Sequence, residues 1–290
     1  MKENKFNSGL GNVVNNLLGA KMNYKLRYYH QRGHWPNLKH PEDMSEILIS
    51  KMFDEPVCRH LSQFVDKVAM RDYVKSKGLE DILLKHYGVW DKPEDIPFDE
   101  LPDHFILKSN NGCGNHVICR DKSTFDREKA IETLHLAIKS GQEHVERHYR
   151  YITPRVFAEE LIETPDGDLP IDYKFTCIGG EIMDVFVATE RATKNTKYST
   201  LNLNWKVLPY IKPEWLPKEV PPMPKDINAL AEVARILSKD FDFVRVDLYE
   251  YRNRPYISEL TFFPWGGFLY GYTNEAITLY GKRWHEVTGK

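Results

Sequence analysis

The sequence predicts a mixed α/β (α+β) protein. Apolar residues recur at helical spacing through roughly the first ninety residues, whereas segments of alternating polarity bounded by glycine turns dominate from 104 onward. A third observation is the stripe Ile227, Leu230, Val233, Ala234 and Leu237, which delivers the chain as a helix directly into two alternating segments. With 290 residues and 41% hydrophobic content, the chain can bury one large core or two modest ones.

Composition removes several function classes. No stretch approaches the roughly 18 apolar residues of a membrane span, and MKENKFNSGLGNVVNN lacks the apolar centre of a signal peptide, so a cytoplasmic protein is expected. Cys58, Cys113, Cys119 and Cys177 show no CxxC spacing, which argues against a zinc site or a disulfide framework. A net charge of -2 offers no electrostatic footprint for nucleic acid, leaving small molecules or a saccharide as the expected partners.

The elements follow in order. Leu10, Val13, Val14, Leu17 and Leu18, followed by Lys21, Lys25, Arg27 and Arg32, describe an amphipathic helix. Its own core, a second subunit in an oligomer, or peripheral contact with a membrane surface are all open as its partner. Helical patterns continue through SEILISKMF and DKVAMRDYVKSKG, the latter capped at Gly78, and the Pro- and Asp-rich run 91–104 reads as a linker. The linker sets off a helical module over 1–103. The next module opens with FILKSNNGCGNHVICRDKS, a strand carrying Lys108, a turn with Gly112 and Gly114, and a second strand. Such glycines let backbone N–H groups approach phosphate, but an ordinary glycine hairpin has the same sequence, and no Gly-Lys-Ser/Thr follows to make a Walker A loop.

A helical stretch over 126–148 places His144 and His148 four apart; lacking an HExxH pattern, it is assigned no metal. RVFAEELIE is a buried strand, and IDYKFTC pairs with EIMDVFVAT around Gly179 and Gly180, so that Asp172, Lys174 and Thr176 share a face. Six prolines between 209 and 224 make 192–226 a loop-rich insert.

In FDFVRVDLYEYRNRPYISELTFFP, Phe241, Phe243, Arg245, Asp247 and Tyr249 share one face of a strand, and Ile257, Glu259, Thr261 and Phe263 one face of the next. A three-residue loop centred on Asn253 sets Asp247 opposite Glu259 and Arg245 opposite Thr261. Two facing carboxylates with nothing between them repel and favour a hard cation such as Mg²⁺ completed by phosphate oxygens. A solvated face on which these charges neutralise one another has the same spacing.

The order of these pieces resembles the ATP-grasp superfamily. DKVAMRDYV, LPDHFILKSNNGCGNHVICRDKS, PRVFAEELI, IDYKFTCIGGEI and FVRVDLYEYRNRPYISELTFFP are similar to the TupA-like ATP-grasp proteins of bacterial surface-polysaccharide gene clusters, over roughly residues 25–270. The resemblance implies an ATP-grasp fold with a nucleotide between two α/β lobes, a smaller one over 104–158 and a larger one over 159–290, and an atypical, largely helical N-terminal module. It implies Lys108 and Lys174 on ATP phosphates, Gly112 and Gly114 closing over them, and Glu159, Glu160, Leu161 and Ile162 at an adenine hinge. Asp247 and Glu259 would hold Mg²⁺, with Thr261 where many relatives carry a metal-binding Asn; Arg245 would face the transferred phosphoryl group and Arg191 the acceptor carboxylate. Pro264, Gly266 and Gly267 would line the substrate end.

The activity implied is ATP-dependent amide formation through an acyl phosphate, joining an amino acid to a uronic-acid carboxylate of a capsule, teichuronic acid or O-antigen. Two other readings stand beside it. One is a nucleotide-sugar glycosyltransferase using Asp166-Gly-Asp168 or Asp240-Phe-Asp242, and the other an ATP-binding scaffold without turnover.

Overall fold

The computed structural model describes residues 19–112, 114–164, 167–190 and 196–290. The apolar positions 10 to 18 of the expected N-terminal helix therefore lie outside the described residues, and helix α1 is Ala20–Arg32.

Three helices follow: α2 (Met44–Met52), α3 (Glu55–Val65) and α4 (Met70–Ser76). Asp43 and Asp54 begin α2 and α3 by accepting the N–H groups of Glu46 and Val57, which would otherwise lack partners. Tyr24, Tyr28, Met44, Ile47, Leu48 and Val74 join one apolar core with the five-stranded sheet described below. The N-terminal helices thus share the large lobe's core.

Two antiparallel sheets follow. The first, in spatial order β1-β4-β2-β3, contains β1 (His86–Trp90), β2 (Phe105–Ser109), β3 (Val117–Cys119) and β4 (Val156–Glu159). Helix α5 (Arg127–Gln142) packs on one face, with Ala130 and Leu134 against Phe105, Leu107, Val156 and Ala158. β1 comes from upstream of residue 103 yet pairs with β4, and Ile96, Phe98 and Leu101 of the proline-rich run are buried in the same small core. The run is therefore the β1–β2 connection inside the smaller lobe. Helix α5 stops at Gln142, so His144 and His148 do not share a helix face; His148 is fully buried in a 3₁₀ turn over Arg147–Tyr151.

The second sheet has the order β7-β6-β5-β8-β9, from β5 (Asp172–Ile178), β6 (Glu181–Thr189), β7 (Lys197–Leu201), β8 (Phe243–Tyr251) and β9 (Arg254–Thr261). β7 lies within the stretch expected to be loop: its pairing with β6 precedes the first of the prolines, which leaves its N–H groups available. Helix α6 (Ile227–Ser238) buries its predicted stripe against this sheet, and α7 (Asn274–Thr288) closes the chain against α2.

The β8–β9 hairpin reaches the predicted carboxylate register by another route. Tyr251 pairs with Arg254 across a two-residue turn in which Arg252 and Asn253 have φ of 53° and 60°, one residue shorter than expected. A β-bulge then inserts Ser258, so Leu248 faces Ile257 while Asp247 faces Glu259 and Arg245 faces Thr261. The bulge also moves Ile257 from the face shared with Glu259 to the buried face, with Leu260.

Candidate active site

Alternation along the large sheet gathers a charged array on the face opposite α6. Asp172, Lys174 and Thr176 stand on β5, Arg245 and Asp247 on β8, and Glu259 and Thr261 on β9. Lys174 and Asp247 are directly paired residues, as are Thr176 and Arg245.

The contacts are short and reciprocal. The Arg245 guanidinium grips Asp247 bidentately, with Nε to Oδ1 and Nη2 to Oδ2 both 2.7 Å. Lys174 Nζ donates to Asp247 Oδ2 at 2.5 Å and to Asp172. Arg245 Nη2 also donates to Thr261 Oγ1 at 3.2 Å and approaches Glu259 Oε1 at 3.8 Å. The space between Asp247 and Glu259 is therefore bridged by a guanidinium, and the expected gap of bare carboxylate repulsion is absent. Thr261 serves Arg245, as its place opposite that residue requires.

Lys67, which sequence reasoning passed over, completes the array. Its Nζ lies 3.2 Å from Glu259 Oε2 and donates to the Gly112 carbonyl at 2.6 Å, joining the glycine loop to β9. Burial opposes the ionisation of Glu259, but Lys67, Lys174 and Arg245 outweigh it and hold the carboxyl well below the usual range. Burial likewise opposes the charge on Lys174, and Asp172 and Asp247 raise its pKa in spite of it.

On the smaller sheet, Lys108 lies on the face turned away from α5 and meets Glu159 Oε2 at 2.7 Å. Arg71 and His86 approach the other oxygen at 3.9 and 3.5 Å. Against the cost of burial, Lys108 and His86 hold Glu159 down to about 2. At the expected hinge, the Glu160 N–H is given to the Lys85 carbonyl at 2.8 Å.

The two loop glycines differ in role. A Cβ on Gly112 would come within 3.3 Å of the Ala137 carbonyl, whereas Gly114, at φ +73°, faces open space. Asn110 and Asn111 are fully buried, Asn110 bonding Asp66 Oδ2 at 2.9 Å and the Thr153 carbonyl at 3.0 Å, so the loop's first half is anchored. Gly267, expected at the substrate end, is instead packed: a Cβ there would lie 3.1 Å from Ile49. Pro264 lines a small cavity beside Arg245 with Thr176, Phe186, Trp265, Tyr272 and Tyr280. Behind it, Asp184 is fully buried, accepts from Thr176 Oγ1 at 3.2 Å and from Tyr280, and is pushed up by burial to about 7. An aspartate within EIMDVFVAT carried no sequence signal, since any alternating strand has polar positions.

Arg191, Cys113 and Asp166 lie outside the described residues. Asp240 bonds Lys77 at 2.6 Å and Asp242 bonds Lys290 at 2.7 Å, so this aspartate pair is engaged with lysines away from the array. Among the described residues, no group of three or more His, Cys, Asp or Glu side chains is arranged to hold a metal ion. The donor chemistry still suits a hard divalent ion arriving on phosphates, because phosphate oxygens can take over the lysine and arginine contacts that now occupy Asp247 and Glu259.

The fold and site are those of two antiparallel sheets, one carrying Lys108 and the other Lys174, with an Arg-x-Asp strand beside a Glu-x-Thr strand. The chain belongs to the TupA-like ATPgrasp family, whose model matches residues 49–283. Similar solved structures include D-alanine–D-alanine ligase from Bacillus anthracis, at 16% identity over 78% of this chain and 66% of that one, with a TM-score of 0.46. An L-amino acid ligase from Bacillus licheniformis matches at 13% identity over 75% and 48%, with a TM-score of 0.45. D-alanine–D-alanine ligase from Helicobacter pylori matches at 17% over 75% and 57%, with a TM-score of 0.43. The chain spans at most about two thirds of these structures' length. No curated protein matches it. No helix among the described residues is long and apolar enough to cross a membrane.

Proposed function

We propose that the protein is an ATP-dependent carboxylate–amine ligase, which joins an amino acid to the carboxylate of a uronic-acid saccharide destined for a bacterial surface polysaccharide. The observation that carries the ligase reading is the balanced array of Lys67, Lys174 and Arg245 against Asp172, Asp247 and Glu259 on one sheet face, beside the glycine loop. The choice of saccharide rests on the family resemblance.

The array is suited to an exchange of partners. Incoming phosphates supply negative charge to Lys108, Lys174 and Arg245, and each cation then gives up a carboxylate for a phosphate oxygen. Asp247 and Glu259, so released, would hold Mg²⁺, which neutralises phosphate charge when bound. The Glu160 carbonyl and the Ile162 N–H offer an acceptor and a donor to adenine. Arg245 faces the γ-phosphoryl group, and Arg191 is proposed to orient the acceptor carboxylate. An oxygen of that carboxylate attacks the γ-phosphorus, the bond to ADP breaks, and the amine nitrogen then displaces phosphate from the acyl carbon and loses a proton. Positioning and charge supply the rate, so no protein nucleophile is needed.

The test is incubation with ATP, a set of amino acids and uronic-acid sugars, read by mass spectrometry. ADP, phosphate and an amide product, each dependent on both acceptors, are expected. UDP release from a nucleotide sugar without ATP, or tight ATP binding with no turnover under any pairing, would overturn the reading.

A further inference from the structure

A basic groove lies outside the array, between α1 and the loop that follows it. It is lined by Lys21, Lys25, Pro36, Asn37, Leu38 and Lys39, is open to solvent, and has a volume of about 460 Å³. All of it lies upstream of the family-matched residues 49–283.

Among the described residues, its three lysines have no carboxylate partner. Lys51, Lys67, Lys77, Lys108 and Lys174 each meet a carboxylate, whereas Lys21, Lys25 and Lys39 form no ion pair with any described residue. Like charges brought together around one concavity raise a positive potential, screened by water and salt in an open groove, that an anionic ligand would meet. The walls are fixed, because Glu46 accepts the Asn37 N–H at 2.8 Å and the Asn37 side chain accepts the His40 N–H at 3.1 Å.

An aromatic pair adjoins the lysines. Lys21, Lys25 and Tyr29 follow at four-residue steps along one face of α1, and Trp35 immediately precedes the lining Pro36. The Tyr29 and Trp35 rings lie 5.0 Å apart, yet remain 45% and 54% exposed. Large exposed rings beside uncompensated cations suit a ligand with a flat ring next to its phosphates. Helix α1 is tied to the loop after β9, since Arg27 bonds Tyr270 at 2.7 Å and Gln31 bonds the Phe268 carbonyl at 3.2 Å. The groove's helix is thus braced against the segment that follows β9.

The geometry points to this groove as the binding site for the nucleoside diphosphate of a nucleotide-linked saccharide, with the diphosphate on Lys21, Lys25 and Lys39 and the base on Trp35 and Tyr29. The choice of saccharide rests on the ligase reading; the site itself does not.

The experiment is calorimetric titration of the full chain with UDP-glucuronate, UDP, inorganic pyrophosphate and phosphatidylglycerol vesicles, with a non-hydrolysable ATP analogue present to fill the other nucleotide site. UDP-glucuronate and UDP are expected to bind, more weakly as salt rises. Trp35→Ala, an exposed change compatible with folding, is expected to weaken both about fivefold to 150-fold, the range for loss of one base–aromatic stack. The triple variant Lys21→Glu, Lys25→Glu, Lys39→Glu is expected to lose binding and its salt dependence. Unchanged binding in either variant, pyrophosphate binding as tight as UDP, or association with vesicles alone would overturn the proposal. Because these readouts need no turnover, a protein that binds UDP-glucuronate but makes no amide sinks the ligase reading alone. One that makes amide with no effect of the groove variants sinks this inference alone.

Discussion

Replacing Lys174 with Met separates a charge array held together by exchangeable contacts from one that is merely structural. Lys174 is buried between Asp172 and Asp247, 2.5 Å from Asp247 Oδ2. Removing one member of a buried ion pair costs about 3–5 kcal/mol, mostly from the charge left behind. Here Arg245 still grips Asp247 at 2.7 Å through both carboxylate oxygens, so the main loss falls on Asp172 and the cost belongs at the lower end, about 3 kcal/mol. In a chain of this size 1 kcal/mol moves the melting temperature by about 2 °C, giving a fall of about 6 °C. Adding Asp172→Asn removes the stranded charge and is expected to recover at least half of it. ATP at a hundred times its dissociation constant stabilises wild-type protein by about 2.7 kcal/mol, a rise of about 5 °C, and loss of one charge-assisted phosphate contact, about 1.5–3 kcal/mol, is expected to cut this rise by about half or more in Lys174→Met. Thermal melts of the three proteins with and without ATP read every term. A Lys174→Met protein that melts with wild type, or keeps its full ATP-dependent rise, would refute the reasoning.

Glu146 carries a pH signature. Burial pushes its carboxyl up to about 8, with the Gly266 N–H, Arg245 and Lys67 pulling it down and Glu259 pushing it further up. The folded pKa lies above the unfolded value of about 4.3, so this contribution is full below that pH and is lost as pH rises through 8. Glu146→Gln should therefore gain stability over wild type by about 1.4 kcal/mol per pH unit between pH 5 and 8 and then level off; a gap constant with pH in denaturant titrations would count against it. A Cβ at position 141 would lie 2.0 Å from the Asn111 carbonyl oxygen. Gly141→Ala gains about 1 kcal/mol of helix propensity but should lose about 1–3 kcal/mol to the clash and weaken ATP binding through the anchored loop, and unchanged melting and ATP affinity would contradict this. Glu259→Gln should lower ligase turnover by a hundredfold or more while leaving the fold intact, and near-normal kcat would remove Glu259 from the reacting end.

Most of the large sheet's chemistry was legible because strand alternation and local spacing carry it: Lys174, Arg245, Asp247 and Glu259 stand on the predicted face. Their register was reached through two misread details that offset each other, a turn one residue shorter and a bulge one residue longer. Lys67 was not legible, since its partner Glu259 is remote in sequence and a lysine beside a helix has many uses. Nor was the burial of Ile96, Phe98 and Leu101, because proline punctuation masks a core segment that has no periodicity. β7 was hidden in the same way by the prolines that follow it.

The bulge at Ser258 acts as a phase reset along the hairpin. Its hydroxyl donates to Tyr249 at 3.1 Å, fixing the extra residue between an exposed tip and the charged half of β9. The tip at Arg252 and Asn253 can therefore be exchanged for another two-residue turn, or opened to carry a reporter, without turning Glu259. Were Ser258 instead paired as an ordinary strand residue opposite Asp247, the tip would keep its pairing, while Glu259 rotated into the apolar layer and Leu260 came round to face Arg245.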